Sequence, residues 1–178
     1  MGNSNVRTIR YDDEEHLKKM NTRSKGEKMT RLILESLLNK SFITERPTFL
    51  NWNPKTKTEK TEKITNTNKK PKKSNNLEID LYNEELKIGI EYQGEQHFRY
   101  TKHFHKNMEG FNISTEKDQF KRKQCYKNGI YLIEIHDFIK VEDLGEYILK
   151  SLPYDLYLQI DSKRIELLKK GEVILLPN

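Results

Sequence analysis

The sequence has few cysteines for covalent cross-links and few long apolar runs for a membrane. Its 178 residues include one cysteine, Cys125, which excludes an intramolecular disulfide and fits a reducing compartment. No run of roughly 18 apolar residues is present, so no membrane-spanning helix is expected. The N-terminus also lacks the hydrophobic stretch of a secretion signal. We therefore expect an intracellular protein, in the cytoplasm or nucleus, that is not secreted and has no membrane partner.

Apolar residues are scarce as well. They make up 34% of the chain and charged residues another 34%, against about 25% charged in an average protein. Such a chain supports one compact core rather than several domains. The net charge of +6 comes from one place, because residues 55–73 hold eight Lys and two Glu. The remaining residues are electrically balanced, so the sequence predicts a neutral body that carries one basic insertion.

The order of predicted elements is that of a mixed α/β domain. A Ser24–Glu27 capping box begins a helix over 25–40, and an extended stretch, 41–52, precedes the insertion. A β-hairpin over 77–94 follows, then a helix over 115–128, a strand over 130–135 and a helix over 141–152. The core order is therefore α-β-β-β-α-β. We assign 1–23 to a flexible arm, 24–152 to the domain, and 153–178 to a C-terminal extension with a helix near 161–170.

The hairpin carries the strongest chemical signal. With a turn centred on Glu84 and Glu85, apolar residues would pair on one face, and Asp80 would lie opposite Gly89 on the other. Glu91 is then the diagonal neighbour of Asp80, and Gly89 would leave open space between the two carboxylates. Two converging carboxylates suit Mg²⁺, which also takes waters and phosphate oxygens. The alternative is that an alternating strand simply has a solvated polar face.

Further candidates each have an ordinary alternative. Glu27 could point at the hairpin or only cap its helix. His97, in the loop after the second strand, could act as a general base or be merely solvated. Asp118 and Lys121 lie three residues apart on a predicted helix, where Lys121 could neutralise a phosphate or join a surface ion pair.

Cations alternate with aromatic rings over 98–106. This composition is typical of contacts with nucleic acid, in which cations meet phosphates and rings meet bases. An ordinary basic loop tucked in by aromatic residues would look the same. The candidate nucleic-acid contacts in this stretch and in the insertion are Arg99, Lys102, Lys106, Lys69, Lys70, Lys72 and Lys73.

Four short motifs in order resemble the PD-(D/E)XK, or restriction-endonuclease-like, nuclease superfamily. The most similar branch contains very short patch repair endonucleases and EDxHD-type homing endonucleases of phages and large DNA viruses. The motifs are Ser24-Lys25-Gly26-Glu27, Asp80 with 91–98 (EYQGEQHF), Asp118 through Lys121, and 132–135 (LIEI). The resemblance covers roughly 24–150, interrupted by the insertion.

The resemblance implies a role for each matched residue. Asp80 and Glu91 would bind the metal ion, assisted by Glu27, and His97 would act as general base or transition-state stabiliser. Asp118 and Lys121 would complete the site. The superfamily usually has Lys where this chain has Gln93, so either Gln93 or Lys121 must orient the attacking water.

These expectations predict an endonuclease that hydrolyses DNA phosphodiester bonds with Mg²⁺, for which Mn²⁺ would substitute, acting as a monomer or homodimer. Two alternatives stay open. The chain could be a weak or inactive nucleic-acid-binding module on the same fold, or it could be an RNA endonuclease.

Overall fold

The structure, a computed structural model, describes residues 7–20, 24–53, 75–94 and 108–177. These residues form six α-helices, six strands and a short 3-10 helix at Thr48–Leu50, so the fold is mixed α/β, as predicted. No helix in this part of the chain is long and apolar enough to cross a bilayer. The helices are α1 (Glu14–Lys19), α2 (Lys25–Leu38), α3 (Met108–Lys127), α4 (Val141–Ser151), α5 (Tyr154–Tyr157) and α6 (Ser162–Lys169). The strands are β1 (Thr8–Arg10), β2 (Ile43–Glu45), β3 (Ile79–Asn83), β4 (Ile88–Gln93), β5 (Tyr131–His136) and β6 (Glu172–Ile174).

A four-stranded sheet forms the centre, in the order β2-β3-β4-β5. The first three strands are antiparallel, and β5 lies parallel to β4. Strands β1 and β6 pair separately as a two-stranded ribbon. From α2 to β5 the chain runs helix, strand, strand, strand, helix, strand, which is the predicted order.

Apolar side chains cover both faces of the sheet. The larger cluster joins Ile88 and Ile90 to α2, α4 and α6, whereas a smaller cluster joins Ile79 and Tyr82 to Cys125 of α3. Five of the six β4 residues are buried as a result. A polar side chain on β4 therefore lies between layers of the protein rather than on a solvated face, and it must find a partner there.

The hairpin differs from its predicted register. Leu81 pairs with Ile90 and Asn83 with Ile88, two positions away from the expected pairing. The turn is responsible, because four residues, 84–87, connect the strands, and Lys87 adopts a left-handed φ of 55°. The Asn83 side chain accepts a hydrogen bond from the Leu86 N–H at 2.8 Å and starts this loop. Beyond the Leu81–Ile90 pair, the Asp80 side chain reaches the β4 backbone at Tyr92.

The open space expected at Gly89 is absent. A Cβ atom there would lie 3.1 Å from a Leu132 methyl and 3.3 Å from an Ile79 methyl. Those two side chains fill the volume, so the glycine permits close packing of apolar groups. The prediction of a gap between the carboxylates was wrong, because Ile79 packs with the smaller cluster and not on the face of Leu81.

Two helices flank the hairpin in sequence. Helix α2 begins as predicted, with the Ser24 hydroxyl accepting the Glu27 N–H at 3.1 Å, and ends slightly early at a left-handed Asn39. Helix α3 begins at Met108 rather than 115, because a polar stretch with one buried residue, Cys125, has no apolar period to mark its start. It ends where predicted, before Gly129 with φ +68°.

Both terminal segments belong to the core. Tyr11 and Leu17 from the predicted flexible arm are buried, as are Leu168 and Val173 from the predicted extension. The arm prediction was wrong for residues 7–20, because the pairing of β1 with β6 is a contact between distant residues that no local pattern reveals.

Candidate active site

A cleft of about 700 Å³ opens between the start of α2, the sheet and one face of α3. Five of the predicted catalytic residues line it together: Glu27, Asp80, Glu91, Asp118 and Lys121. Their side chains come from one helix start, two adjacent strands and a second helix. The side chains of residues as far apart in sequence as Glu27 and Lys121 thus line the same cleft.

Glu27 is brought to the cleft by the start of α2. The residue is 5% exposed, so it does not act only as an exposed cap. The preceding residue, Gly26, leaves room for Tyr92, because a Cβ atom there would lie 2.0 Å from the Tyr92 hydroxyl. The glycine of the Ser-x-Gly-Glu motif therefore lets the end of β4 approach the helix closely.

Asp80 lies on β3, half-buried, and one of its carboxylate oxygens accepts the Tyr92 N–H at 3.0 Å. This bond ties the carboxylate of one strand to the backbone of the next. The position of Asp80 beside Glu91 is thereby held by the sheet itself and does not depend on a flexible loop.

Glu91 is the most unusual residue in the cleft. Its side chain is 8% exposed, and Oε2 accepts a hydrogen bond from Lys121 Nζ at 2.5 Å. Its other oxygen, Oε1, is buried and has no hydrogen-bond partner among the described residues. Burial raises the pKa of Glu91 to about 7, against the opposing effect of the Lys121 ammonium and with a further upward contribution from Asp80. A buried carboxylate oxygen without a partner is costly, so this atom is suited to receive a cation or a donor.

Helix α3 supplies the facing wall. Ser114, Lys117, Asp118 and Lys121 recur at helical spacing and all line the cleft. The Lys121 side chain is 12% exposed and reaches across to β4, so the alternative of a surface ion pair on the helix does not apply to it. The neighbouring residue, Arg122, does not line the cleft, and its guanidinium donates to both carboxylate oxygens of Glu134.

Gln93 does not line the cleft. Its amide nitrogen donates to Glu134 Oε1 at 3.3 Å, and its own oxygen is buried and finds no partner in the part of the chain that the structure describes. Of Gln93 and Lys121, Lys121 is therefore the one that contacts the Glu91 carboxylate.

The remaining predicted residues lie outside the described part of the chain. These are His97, Arg99, Lys102, Lys106, Lys69, Lys70, Lys72 and Lys73.

Sequence reasoning missed several cleft residues. Arg46 reaches the cleft from the end of β2, and Lys117 reaches it one turn before Lys121 on α3. The spacing of Lys117 from Lys121 could have revealed it. Arg46 had no such signal, because its place depends on the pairing of β2 with β3. Ser114, Glu78 and Asp137 also line the cleft.

The charges of the cleft favour a cation. Six carboxyl side chains and three cationic ones line it, an excess of acid. Among the described residues, no three His, Cys, Asp or Glu side chains are close enough together to hold a metal ion. The donors available are therefore the pair Asp80 and Glu91, and Mg²⁺ is often bound by only one or two carboxylates with waters. The unpartnered Glu91 Oε1 fits this use.

Comparison with known proteins finds relatives in three viruses. The chain is 34% identical over 131 residues to "Uncharacterized protein 033L" of Invertebrate iridescent virus 3, covering 74% of this chain and 58% of that protein. It is 43% identical over 77 residues to "Uncharacterized protein 307L" of Invertebrate iridescent virus 6 and to "Uncharacterized protein 094L" of Frog virus 3. These matches cover 43% of this chain and 38% and 48% of the two relatives.

The chain thus spans between about two fifths and three fifths of the length of these relatives. No protein-family model matches it. No solved structure matches it either.

Proposed function

We propose that this cleft is the active site of a metal-dependent endonuclease that hydrolyses DNA phosphodiester bonds on a restriction-endonuclease-like core. The observation that carries the proposal is the state of Glu91, a buried carboxylate with one oxygen bonded to Lys121 and the other without a partner within residues 7–20, 24–53, 75–94 and 108–177. The helix-strand-strand-strand-helix-strand order from α2 to β5 supports the fold assignment.

The chain's own groups have distinct tasks in this proposal. Asp80 and Glu91 would hold the ion, which when bound supplies a water of lowered pKa and neutralises charge on the phosphate. Lys121 places an ammonium beside the ion site, where it offsets negative charge on the reacting phosphate. Glu27, buried at the start of α2, would assist through water, since it does not form a three-carboxylate group with the other two acids.

An acidic cleft repels a polyanion unless a cation intervenes. With more acidic than basic side chains around it, this cleft would bind a phosphodiester poorly by itself. A bound divalent ion reverses that balance at the place where Glu91 and Asp80 meet. The excess of acid therefore supports metal-dependent chemistry over metal-free phosphate binding.

The proposal is tested by incubating the protein with supercoiled plasmid in Mg²⁺, Mn²⁺ or EDTA. We expect nicking with either ion and none in EDTA, and a loss of roughly a hundredfold in rate for Asp80→Asn. The asparagine oxygen can still accept the Tyr92 N–H, so the sheet is preserved. Glu116→Gln, which alters an exposed carboxyl on α3, is the matched control and should cleave like the wild type.

Equal nicking by the wild type and Asp80→Asn would exclude this cleft as the site. A structured RNA included in the same assay separates the DNA enzyme from an RNA endonuclease, which would cleave the RNA and leave the plasmid intact.

A second candidate function is a nucleic-acid-binding module without turnover. It is favoured by Gln93, which replaces the usual lysine and turns away from the cleft to Glu134. This candidate predicts salt-sensitive DNA binding, no product with any divalent ion, and unchanged affinity in Asp80→Asn.

The base of the basic insertion is closed by backbone contacts. Trp52 N–H donates to the Asn75 carbonyl at 3.1 Å and Leu77 N–H to the Leu50 carbonyl at 2.9 Å, around a bridge between Asn51 and Asn76. The chain ends that the insertion joins are thus already adjacent, and Leu77 lines the cleft. The fold does not need the inserted residues to bring these ends together.

Replacing residues 55–73 by a short Gly/Ser linker should weaken DNA binding by roughly tenfold at moderate salt and flatten its salt dependence. The reason is that the eight Lys and two Glu of this segment carry the whole net charge of the chain. Binding is measured by fluorescence anisotropy over a salt series, and slow metal-dependent cleavage should persist. A melting temperature well below that of the wild type would show instead that the segment supports the fold.

A further inference from the structure

Three cationic side chains line the cleft, and they are not equivalent. Lys121 is bound to Glu91 and nearly buried. Arg46 and Lys117 have no contact with that carboxylate, and they come from different walls. Arg46 follows β2 at one edge of the sheet, whereas Lys117 lies on α3. Arg46 and Lys117, two cations that the proposed ion site does not use, therefore line the same cleft from different walls.

Arg46 is held in place but still open to a ligand. One guanidinium nitrogen donates to the Asn76 carbonyl at 3.1 Å, and another lies 2.8 Å from Glu78. The Asn76 amide in turn donates to the Arg46 carbonyl at 3.3 Å. The side chain is nonetheless 54% exposed, against 15% for Glu78. A guanidinium has five N–H donors, so an oriented Arg46 keeps donors free for a phosphate.

Lys117 lacks such anchoring. It makes no hydrogen bond or ion pair within the described part of the chain, although it is half-buried beside several acids. It lies one helical turn before Lys121 on the face of α3 that borders the cleft. An ammonium placed there without a partner is a point charge available to a backbone phosphate.

We propose that Arg46 and Lys117 bind the backbone phosphates on the two sides of the phosphate that is cleaved. A nucleic-acid strand then crosses the cleft from the β2 wall to the α3 wall, with the cleaved phosphate above Asp80 and Glu91. This inference rests on the proposed function, and it deepens it by naming the residues that hold the substrate strand in register.

The test measures binding and cleavage separately. A fluorescein-labelled duplex is titrated with wild type, Arg46→Gln, Lys117→Gln and the double variant in Ca²⁺, over a salt series. Each single change should weaken binding about three- to tenfold and lower the salt slope by about one, as expected for one lost phosphate contact. The double variant should lower the slope by about two. Lys127→Gln, at the exposed far end of α3, should differ from wild type by less than about twofold.

Glu78→Gln separates phosphate binding from structural support. Arg46→Gln also breaks the contacts of Arg46 with Glu78 and Asn76. If those contacts were the cause of weaker binding, Glu78→Gln would weaken it equally. If Arg46 binds phosphate, Glu78→Gln should bind DNA as well as or better than wild type, because it removes a competing carboxylate.

The outcomes distinguish this inference from the proposed function. Wild-type affinity and salt slope in Arg46→Gln and Lys117→Gln would overturn the inference, even if Asp80→Asn had lost cleavage. Weakened binding in both variants, with no cleavage by any form of the protein, would uphold these two residues as phosphate ligands and overturn the nuclease.

Discussion

Glu91→Gln should slow metal-dependent DNA cleavage by about a thousandfold or more. The substitution keeps the shape of the side chain and an acceptor for Lys121, but it removes the negative charge that would hold the ion. Its effect should exceed that of Asp80→Asn, because Glu91 is the carboxylate that is buried, paired with Lys121 and left with an unpartnered oxygen. The rate is measured under single-turnover conditions with saturating protein.

Binding and folding controls make the result specific. In EDTA, where no ion contributes to either protein, affinity for the labelled duplex should stay within about threefold of wild type, because Arg46 and Lys117 are unchanged. Glu116→Gln should cleave at the wild-type rate, since Glu116 is exposed on α3 and does not line the cleft. A Glu91→Gln protein that cleaves within tenfold of wild type would contradict the assignment of Glu91.

The stability of the ion-free protein should fall as Glu91 ionises. Burial raises the pKa of this carboxyl from its ordinary value of 4.5 to about 7, so between these values the folded state holds a proton that the unfolded chain has lost. The free energy of unfolding therefore decreases as pH rises through this window. A shift of this size corresponds to about 3 kcal/mol once pH exceeds the folded-state pKa.

This prediction is checked by urea denaturation in EDTA at a series of pH values between about 4.5 and 8. The quantity of interest is the free energy of unfolding of wild type minus that of Glu91→Gln, since other carboxyls titrate in both proteins and cancel. It should decrease by about 3 kcal/mol across the series. A difference that stays flat would mean that Glu91 ionises as readily in the folded protein as in the unfolded chain, and one that increases with pH would mean that it ionises more readily when folded.

The elements of the fold were predictable where their signals are local. The Ser24 cap, the apolar stripe of α2 and the positive φ at Gly129 each concern a few neighbouring residues, and each element was found at or near its predicted place. The hairpin itself was also predicted, but its register was not. Register depends on the turn, and a four-residue loop begun by the Asn83 side chain cannot be told from a shorter loop by alternation alone.

The candidate site was predictable as a set of residues but not as an arrangement. Alternation on β4 suggested a solvated polar face, whereas the parallel pairing with β5 and the cover provided by α3 bury Glu91. That burial raises the pKa of Glu91, and it also shields the ion pair between Glu91 and Lys121 from solvent. Arg46 was missed because its place depends on the pairing of β2 with β3, not on any pattern around it.

The sequence alone determined which residues could carry chemistry, and that all the net charge lies in one insertion, because composition and local spacing are properties of the chain. Only the tertiary structure decided that Lys121, not Gln93, meets Glu91 and that Arg46 shares their cleft. Lys121 and Glu91 are 30 positions apart, and Arg46 is farther still from either. Contacts over such separations follow from how the sheet and α3 bury apolar area together, which no local pattern records.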